Sequence, residues 1–254
     1  MSTSSTKSWK ETKEEKARLQ EEEYTSPYHH FVNIYPPRMF EYFAGFEYLM
    51  YVKEVMEALP YGTMKRVAEV GCGDGKILFE LAKMYPHVQF EGFDTSDRAI
   101  LFAKGYGYDL PNLSFFAEDF KKAEGVYDAI ICVETLEHIP DDEVESFVKT
   151  LRDKTKKHLV LTVPCSNIPV SLKHFRHYDP DLLKKHLKGF NMNVRYFCQD
   201  SWVTRAMLKI LVNRFFIVKT HYIIDPIFYI YERFYKNADE KTGVHLFAVG
   251  EVEK

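Results

Sequence analysis

The sequence lacks any cross-linking or zinc-ligand spacing of cysteines, any membrane-spanning run and any net basic field. Its four cysteines, Cys72, Cys132, Cys165 and Cys198, form no CxxC pair. They read as isolated thiols of a reducing compartment, and no structural zinc site follows from their spacing. The opening MSTSSTKSWKETKEEKARLQEEE is polar and charged throughout, without the apolar stretch of a signal peptide. The most aromatic stretch, 207–235, is interrupted by Asn213, Arg214, Lys219, His221, Asp225 and Pro226, so it cannot span a bilayer. With 34 basic against 37 acidic residues and a net charge of −3, the chain has no broad positive field to hold nucleic acid. The expectation is a cytoplasmic chain with no strong nucleic-acid signal and with room for a homodimer.

What is present is an ordinary globular composition: 254 residues, 46% hydrophobic, enough to bury a core without staples. Residues 1–23 read as a disordered start passing into a charged helix. Residues 24–62 read as an N-terminal helical cap: an aromatic link with Tyr28, His29, His30 and Tyr35, then an amphipathic helix from Arg38 to Leu59, stopped by Pro60 and Gly62. From 63 to 254 short apolar runs alternate with helical segments. Strands are expected at Arg66–Val70, Val88–Phe93, Leu113–Ala117, Tyr127–Val133, His158–Val163, Asn193–Cys198 and His245–Val252. Helices are expected at Lys76–Met84, Asp97–Lys104, Asp141–Leu151 and Pro180–Leu187. Such alternation predicts an α/β, Rossmann-like, doubly wound and mostly parallel seven-stranded sheet covered on both faces. Residues 199–243, rich in Phe and Tyr, read as a helical insertion before the last strand.

The chemistry concentrates in the run VAEVGCGDG, Val67 to Gly75, where a strand enters a glycine-rich turn that opens a helix. Gly71, Gly73 and Gly75 allow a sharp bend and a close backbone approach to a ligand. A dinucleotide fingerprint begun at Gly71 requires glycine at 76, where Lys76 stands; a P-loop requires Ser or Thr after that lysine, where Ile77 stands. Both phosphate readings fail, and the acid Glu69 before the turn favours a ligand carrying an amine or sulfonium. The second strand runs out at Asp94, placed to accept ribose hydroxyls, and the third at Asp119 and Phe120, suited to an adenine edge and face.

These ordered segments, over roughly 60–200, resemble class I S-adenosylmethionine-dependent methyltransferases. The resemblance implies that Glu69, Gly71, Gly73 and Gly75 line the methionine part of the cofactor, that Asp94 holds the ribose and that Asp119 and Phe120 frame the adenine. In the run YDAIICVETLEHIP, Tyr127 to Pro140, Val133 and Glu134 would sit beside it. Cys72, Asp74 and Thr95 complete the expected cofactor-binding set. Methyl transfer needs no covalent enzyme intermediate, so the open question is which side chain takes a proton from the acceptor. His174 and His177, in the loop KHFRHYD after the fifth strand, are the leading candidates, either as base or as anchor. His138 is a third, although its Leu-Glu-His-Ile-Pro setting reads chiefly as shaping a turn.

Glu134, Glu137 and His138 also resemble the metal-binding pattern of small-RNA 3′-terminal 2′-O-methyltransferases. That match breaks where the family's second-motif histidine falls on Pro180, and His174 or His177 would have to substitute. No metal is assigned from the sequence. Short segments (residues 27–30, the KHFRHY loop and the aromatic insertion) are similar to bacterial methyltransferases found with surface-polysaccharide and sugar-modifying enzymes, which implies a sugar, nucleotide-sugar or glycan acceptor. A metal-dependent RNA enzyme and a non-catalytic cofactor-binding module are the alternatives.

Overall fold

A computed structural model describes residues 9–24, 42–199 and 229–253, with the single positions 202, 206, 225 and 226 between the last two blocks. Tyr28, His29, His30 and Tyr35, the expected helix start at 38–41, and Phe215 and Tyr222 of the insertion lie outside the described residues. In chain order the elements are α1 (Trp9–Glu23), α2 (Tyr42–Ala58), β1 (Arg66–Val70), α3 (Lys76–Met84), β2 (Gln89–Asp94), α4 (Asp97–Tyr106), β3 (Leu113–Ala117), β4 (Tyr127–Val133), α5 (Val144–Lys154), β5 (Thr155–Pro164), α6 (Pro180–His186), β6 (Phe190–Gln199) and β7 (Gly243–Val252). A π-helical turn, Tyr231–Tyr235, precedes β7.

The seven strands form one sheet in the order β3-β2-β1-β4-β5-β7-β6. The first five pair in parallel, and β7 inserts antiparallel between β5 and β6. Val67, Ala68, Glu69 and Val70 are all buried because β1 is an interior strand of the sheet, with helices over both faces. One apolar core, including Val55, Ile77, Leu81, Ile131 and Phe247, covers one face; a second, including Val70, Phe93, Val148, Leu161 and Leu183, covers the other. All four cysteines are buried free thiols. No helix of the described residues is long and apolar enough to cross a membrane.

Local chemistry sets the helix starts. Ser96 caps α4, its hydroxyl accepting from Ala99 N at 3.1 Å. Asp179 caps α6, accepting from Leu182 N at 2.7 Å, and Pro180 occupies the first turn, where its missing N–H costs nothing. Helix α5 begins three residues later than the pattern predicts, because the backbone N–H groups of Glu143 and Val144 first close a turn on Pro140 O. It then runs into β5 without a loop, and Thr155 Oγ1 donates to Leu151 O across the junction. Strand β5 therefore starts at Thr155 rather than His158.

The parallel strands β1, β2, β3 and β4 all end at one edge, at Val70, Asp94, Ala117 and Val133. Carboxyl ends of strands beside a change in strand order are where open α/β sheets hold ligands. Helix α1 joins this edge from outside the sheet. Lys13 pairs with Glu143, Lys16 Nζ donates to the carbonyls of Leu172 and His174 at 2.7 Å each, and Glu21 accepts from the Ser96 hydroxyl.

Candidate active site

Two cavities open along the strand ends. The larger, about 640 Å³, is bounded by Gly71, Asp94, Thr95, Asp119 and Phe120 on the sheet side and by Lys16, Gln20 and Tyr24 from the N-terminal segment. The smaller, about 280 Å³, is bounded by Glu69, Gly71, Cys72, Gly73, Asp74, Val133, Glu134, Glu137, His138, His174 and His245, and by Tyr48 and Tyr51. Gly71, Glu134, His138 and Lys173 border both.

The glycine turn divides its work. Gly71 has φ of +71°, and a Cβ there would overlap the side chain of Thr135, whose hydroxyl donates within the β1–β4 junction to Val133 O and Val70 O. Gly73, at φ +53°, leaves room beside Tyr24, whose hydroxyl would lie 3.2 Å from an added Cβ. Gly75, at φ +79°, borders neither cavity; the space its missing side chain leaves is filled by Phe115 and Ala103. It serves the start of α3 rather than the ligand face.

Asp94 ties this turn to the next strand: Oδ2 accepts from Gly73 N and Oδ1 from Ser96 N, each at 2.9 Å. Burial raises its pKa, opposed by those two N–H bonds. Glu69 is buried to 2% exposure with one carboxylate oxygen unpartnered, and burial, then Asp74 and Asp94, hold its pKa well above the usual carboxylate range. Cys72 lies among the same three acids, and its thiol is pushed up by burial and their charges. A pocket built from three mutually repelling acids suits a positively charged ligand. This fits a sulfonium amino acid nucleoside: a backbone bend without side chains, an orphaned carboxylate oxygen, and a carboxylate at the end of β2.

Beyond the end of β3, Asp119 is exposed and caps a short turn by accepting from Lys121 N at 2.8 Å. Phe120 borders the larger cavity, yet its ring packs against Phe93 and Tyr127 at centroid distances of 5.2 and 5.8 Å. It is 3% exposed, so its ring belongs mainly to the core.

Beside the smaller cavity lies a histidine and glutamate cluster. Glu134 sits at φ +48°, a left-handed backbone rare outside glycine and costing about 1–3 kcal/mol. Its Oε1 accepts from Thr162 Oγ1 at 2.9 Å and lies 3.4 Å from His245 Nδ1. Burial pushes its pKa up, but His245 and the Thr162 hydroxyl outweigh burial and bring it below the ordinary value. Glu137 is completely buried and neither carboxylate oxygen has a hydrogen-bond partner; burial, then Glu134, drive its pKa well up. The turn carrying it is locked to the KHFRHYD loop, because Phe175 N donates to Glu137 O while Arg176 donates to Leu136 O and Ile139 O.

His174 borders the smaller cavity and His177 borders neither. His177 stands behind it, with its Nε2 2.8 Å from His174 Nδ1. Burial, then His138, Lys173 and His177, lower the His174 pKa to about 3, and burial lowers that of His177. Sequence reasoning missed the contribution of α1, Thr135 filling the space over Gly71, and His245, a single histidine near the start of the last strand.

Residues 67–158 match a protein family described as "Methyltransferase domain". The chain is 29% identical over 89 residues to trans-aconitate 2-methyltransferase of Deinococcus radiodurans, covering 35% of this chain and 34% of that one. It is 37% identical over 84 residues to a ubiquinone biosynthesis O-methyltransferase of Aromatoleum aromaticum, covering 30% and 34%. The chain thus spans about a third of the length of these curated relatives. Among solved structures, magnesium protoporphyrin IX methyltransferase of Synechocystis PCC 6803 with bound SAM superposes with a TM-score of 0.59 at 15% identity, over 92% of this chain and 96% of that one. N-methyltransferase NodS of Bradyrhizobium japonicum, in complex with S-adenosylhomocysteine, gives 0.58 at 15%, over 96% and 99%. The sheet order is that of a Rossmann-like α/β fold, and the segment over residues 67–158 is similar to a methyltransferase domain.

Proposed function

We propose that the chain transfers a methyl group from S-adenosylmethionine to an oxygen or nitrogen of a small acceptor, and that the acceptor is a sugar, nucleotide sugar or glycan end. The observation that carries the first part is the acid-lined glycine turn: Gly71 and Gly73 left-handed, Asp94 bonded to Gly73 N, and Glu69 holding an unpartnered buried oxygen against the smaller cavity. The cofactor supplies an electrophilic methyl group already activated by its sulfonium charge. Glu69 and Asp74 offset positive charge, Asp94 accepts ribose hydroxyls, and Asp119 with the backbone near Phe120 borders the adenine. Helix α1, through Gln20, and Tyr24 just after it shield the site from water. We read residues 24–62 as a cap, 63–254 as the catalytic domain and 199–243 as an insertion; 25–41 and most of 200–228 lie outside the described residues.

The relatives named above act on small molecules by their names, which supports a small acceptor. For a sugar, support comes from Tyr48 on the smaller cavity and Phe175 on the larger, as faces on which a ring can stack. His138 and His174 orient the acceptor hydroxyl or amine, and His177 positions His174.

The test is transfer from methyl-labelled cofactor to a panel of sugars, nucleotide sugars, phenols, small carboxylates and a short RNA with a 3′-terminal diol. Labelling of the sugar members, abolished in Asp94→Ala, is the expected result. Strong labelling of another class alone refutes the sugar assignment; no labelling together with no cofactor binding refutes methyl transfer itself.

A further inference from the structure

The carboxyl groups of the smaller cavity stand on two different turns. Glu69 and Asp74 flank the bend after β1, where the proposed function sets them against the cofactor's positive charge. Glu134 and Glu137 stand on the turn after β4. Each pair acts mainly within itself: burial, then Asp74 and Asp94, raise the Glu69 pKa, whereas burial, then Glu134, raise that of Glu137. Lys173 and Arg176 pull Glu137 the other way without outweighing the rise, so the chain's own cations leave this turn short of positive charge. Glu134 holds a left-handed backbone, a strain that concentrates at ligand sites, and it borders both cavities. Glu137 is wholly buried with neither carboxylate oxygen hydrogen-bonded, and Phe175 N and Arg176 fix the turn that carries it. Buried acceptor oxygens without a donor keep their full desolvation cost until a ligand brings one.

His174 adds a third acceptor. His177 Nδ1 lies 3.0 Å from Ile168 O, and a carbonyl only accepts, so Nδ1 carries the proton and Nε2 the lone pair. That lone pair accepts from His174 Nδ1 at 2.8 Å, which leaves His174 Nε2 without a proton. A carboxylate oxygen of Glu137 and a ring nitrogen of His174 lie within 4.8 Å of each other. One nitrogen donating two tetrahedral N–H bonds of about 2.9 Å spans about 4.7 Å between its acceptors. A hydroxyl has one proton to donate, whereas an ammonium has three. We propose that Glu134, Glu137 and His174 bind a primary ammonium group, so that the acceptor is an amine and, within the sugar reading, an amino sugar.

The catalytic role rests on the methyltransferase reading. One ammonium proton passes to the Glu137 carboxylate, which frees the nitrogen lone pair. That pair forms the new N–CH₃ bond as the CH₃–S bond breaks, and the bonding pair stays on sulfur. The products are a methylated ammonium, the neutral thioether and one proton, which Glu137 returns to solvent. His174, whose pKa burial and then His138 bring down to about 3, stays neutral and orients the nitrogen. Glu134, at the seam of the two cavities, holds the ammonium beside the cofactor.

The test is transfer from methyl-labelled cofactor, catalysed by the full chain, to matched sets of acceptors: amino sugars with the amine at each ring position, free and nucleotide-linked, their hydroxyl and N-acetyl counterparts, and simple aliphatic amines. S-adenosylhomocysteine affinity is measured on the same samples. The expected result is N-methylation of an amino sugar, with its hydroxyl and N-acetyl counterparts slower by about 100-fold or more in kcat/KM. Glu137→Gln should lower kcat/KM for the amine by about 100-fold or more while S-adenosylhomocysteine affinity holds within about twofold. Circular dichroism shows whether that variant folds; the matched comparison on the parent chain decides the question if it does not. Labelling of simple amines alone keeps the ammonium site and removes the sugar. Transfer to hydroxyl sugars at rates equal to the amines, or to no amine by a chain that binds S-adenosylhomocysteine, overturns the ammonium site. A folded chain that does not bind S-adenosylhomocysteine removes the methyltransferase reading instead, and the catalytic role with it.

Discussion

Replacing Glu69 by glutamine should make the empty protein more stable and a poorer cofactor binder. Glu69 is buried among Asp74 and Asp94, and burial first, then those charges, raise its pKa well above normal. Between the unfolded value of about 4.3 and that raised value, the folded chain binds more protons than the unfolded one. Stability therefore falls as pH rises through this window, and Glu69→Gln removes the fall. A cationic ligand reverses the balance: it favours the carboxylate, so binding expels a proton and tightens with rising pH. Removing one partner of a buried ion pair costs about 3–5 kcal/mol, or roughly 10²–10⁴-fold in affinity. Calorimetry of S-adenosylmethionine binding in two buffers of different ionisation enthalpy reads the proton release, and thermal unfolding across pH 5–8 reads stability. A Glu69→Gln protein that binds as tightly as the parent, or that melts lower at every pH, would refute the reasoning.

Three further outcomes follow from particular contacts. Gly71→Ala must hold a left-handed φ and displace Thr135, so it should lose about 1–3 kcal/mol in urea unfolding and bind cofactor at least about tenfold more weakly. Truncating residues 1–20 removes Lys13, Lys16 and Gln20 from the larger cavity, and should speed S-adenosylhomocysteine dissociation about tenfold or more in stopped flow. Asp128 accepts from the backbone N–H groups of Lys65 and Arg66 at 2.7 and 3.0 Å and from Lys156; burial opposes these bonds, but they bring its pKa below normal. Asp128→Ala should cost about 1–2 kcal/mol at neutral pH. That difference should fade as pH falls below about 3.9 through the depressed folded value.

The strands and helices that frame the cofactor site were legible because each obeys local rules. Arg66–Val70, Lys76–Met84, Leu113–Ala117 and Tyr127–Val133 lie where apolar runs, glycines and helix spacing predict. Errors arose where tertiary contacts decide. The 140–143 turn delayed α5, and the direct α5–β5 junction lengthened β5. A charged helix looks the same in sequence whether its lysines face water or hold the carbonyls of Leu172 and His174, so α1 carried no mark of its place over the cavity. Gly75 and Phe120 carry the motif residue types, yet packing on Phe115 and Phe93 determines where they face. The proximity of His174 to Glu137 and His138 depends on how two loops interlock through Phe175 and Arg176, a long-range fact without a local pattern.

The most direct measurement is isothermal titration of the purified chain with S-adenosylhomocysteine. The account predicts saturable binding of one equivalent per chain, weakened at least about tenfold by Asp94→Ala. An absence of binding heat across temperatures, with the chain shown to be folded, would contradict it.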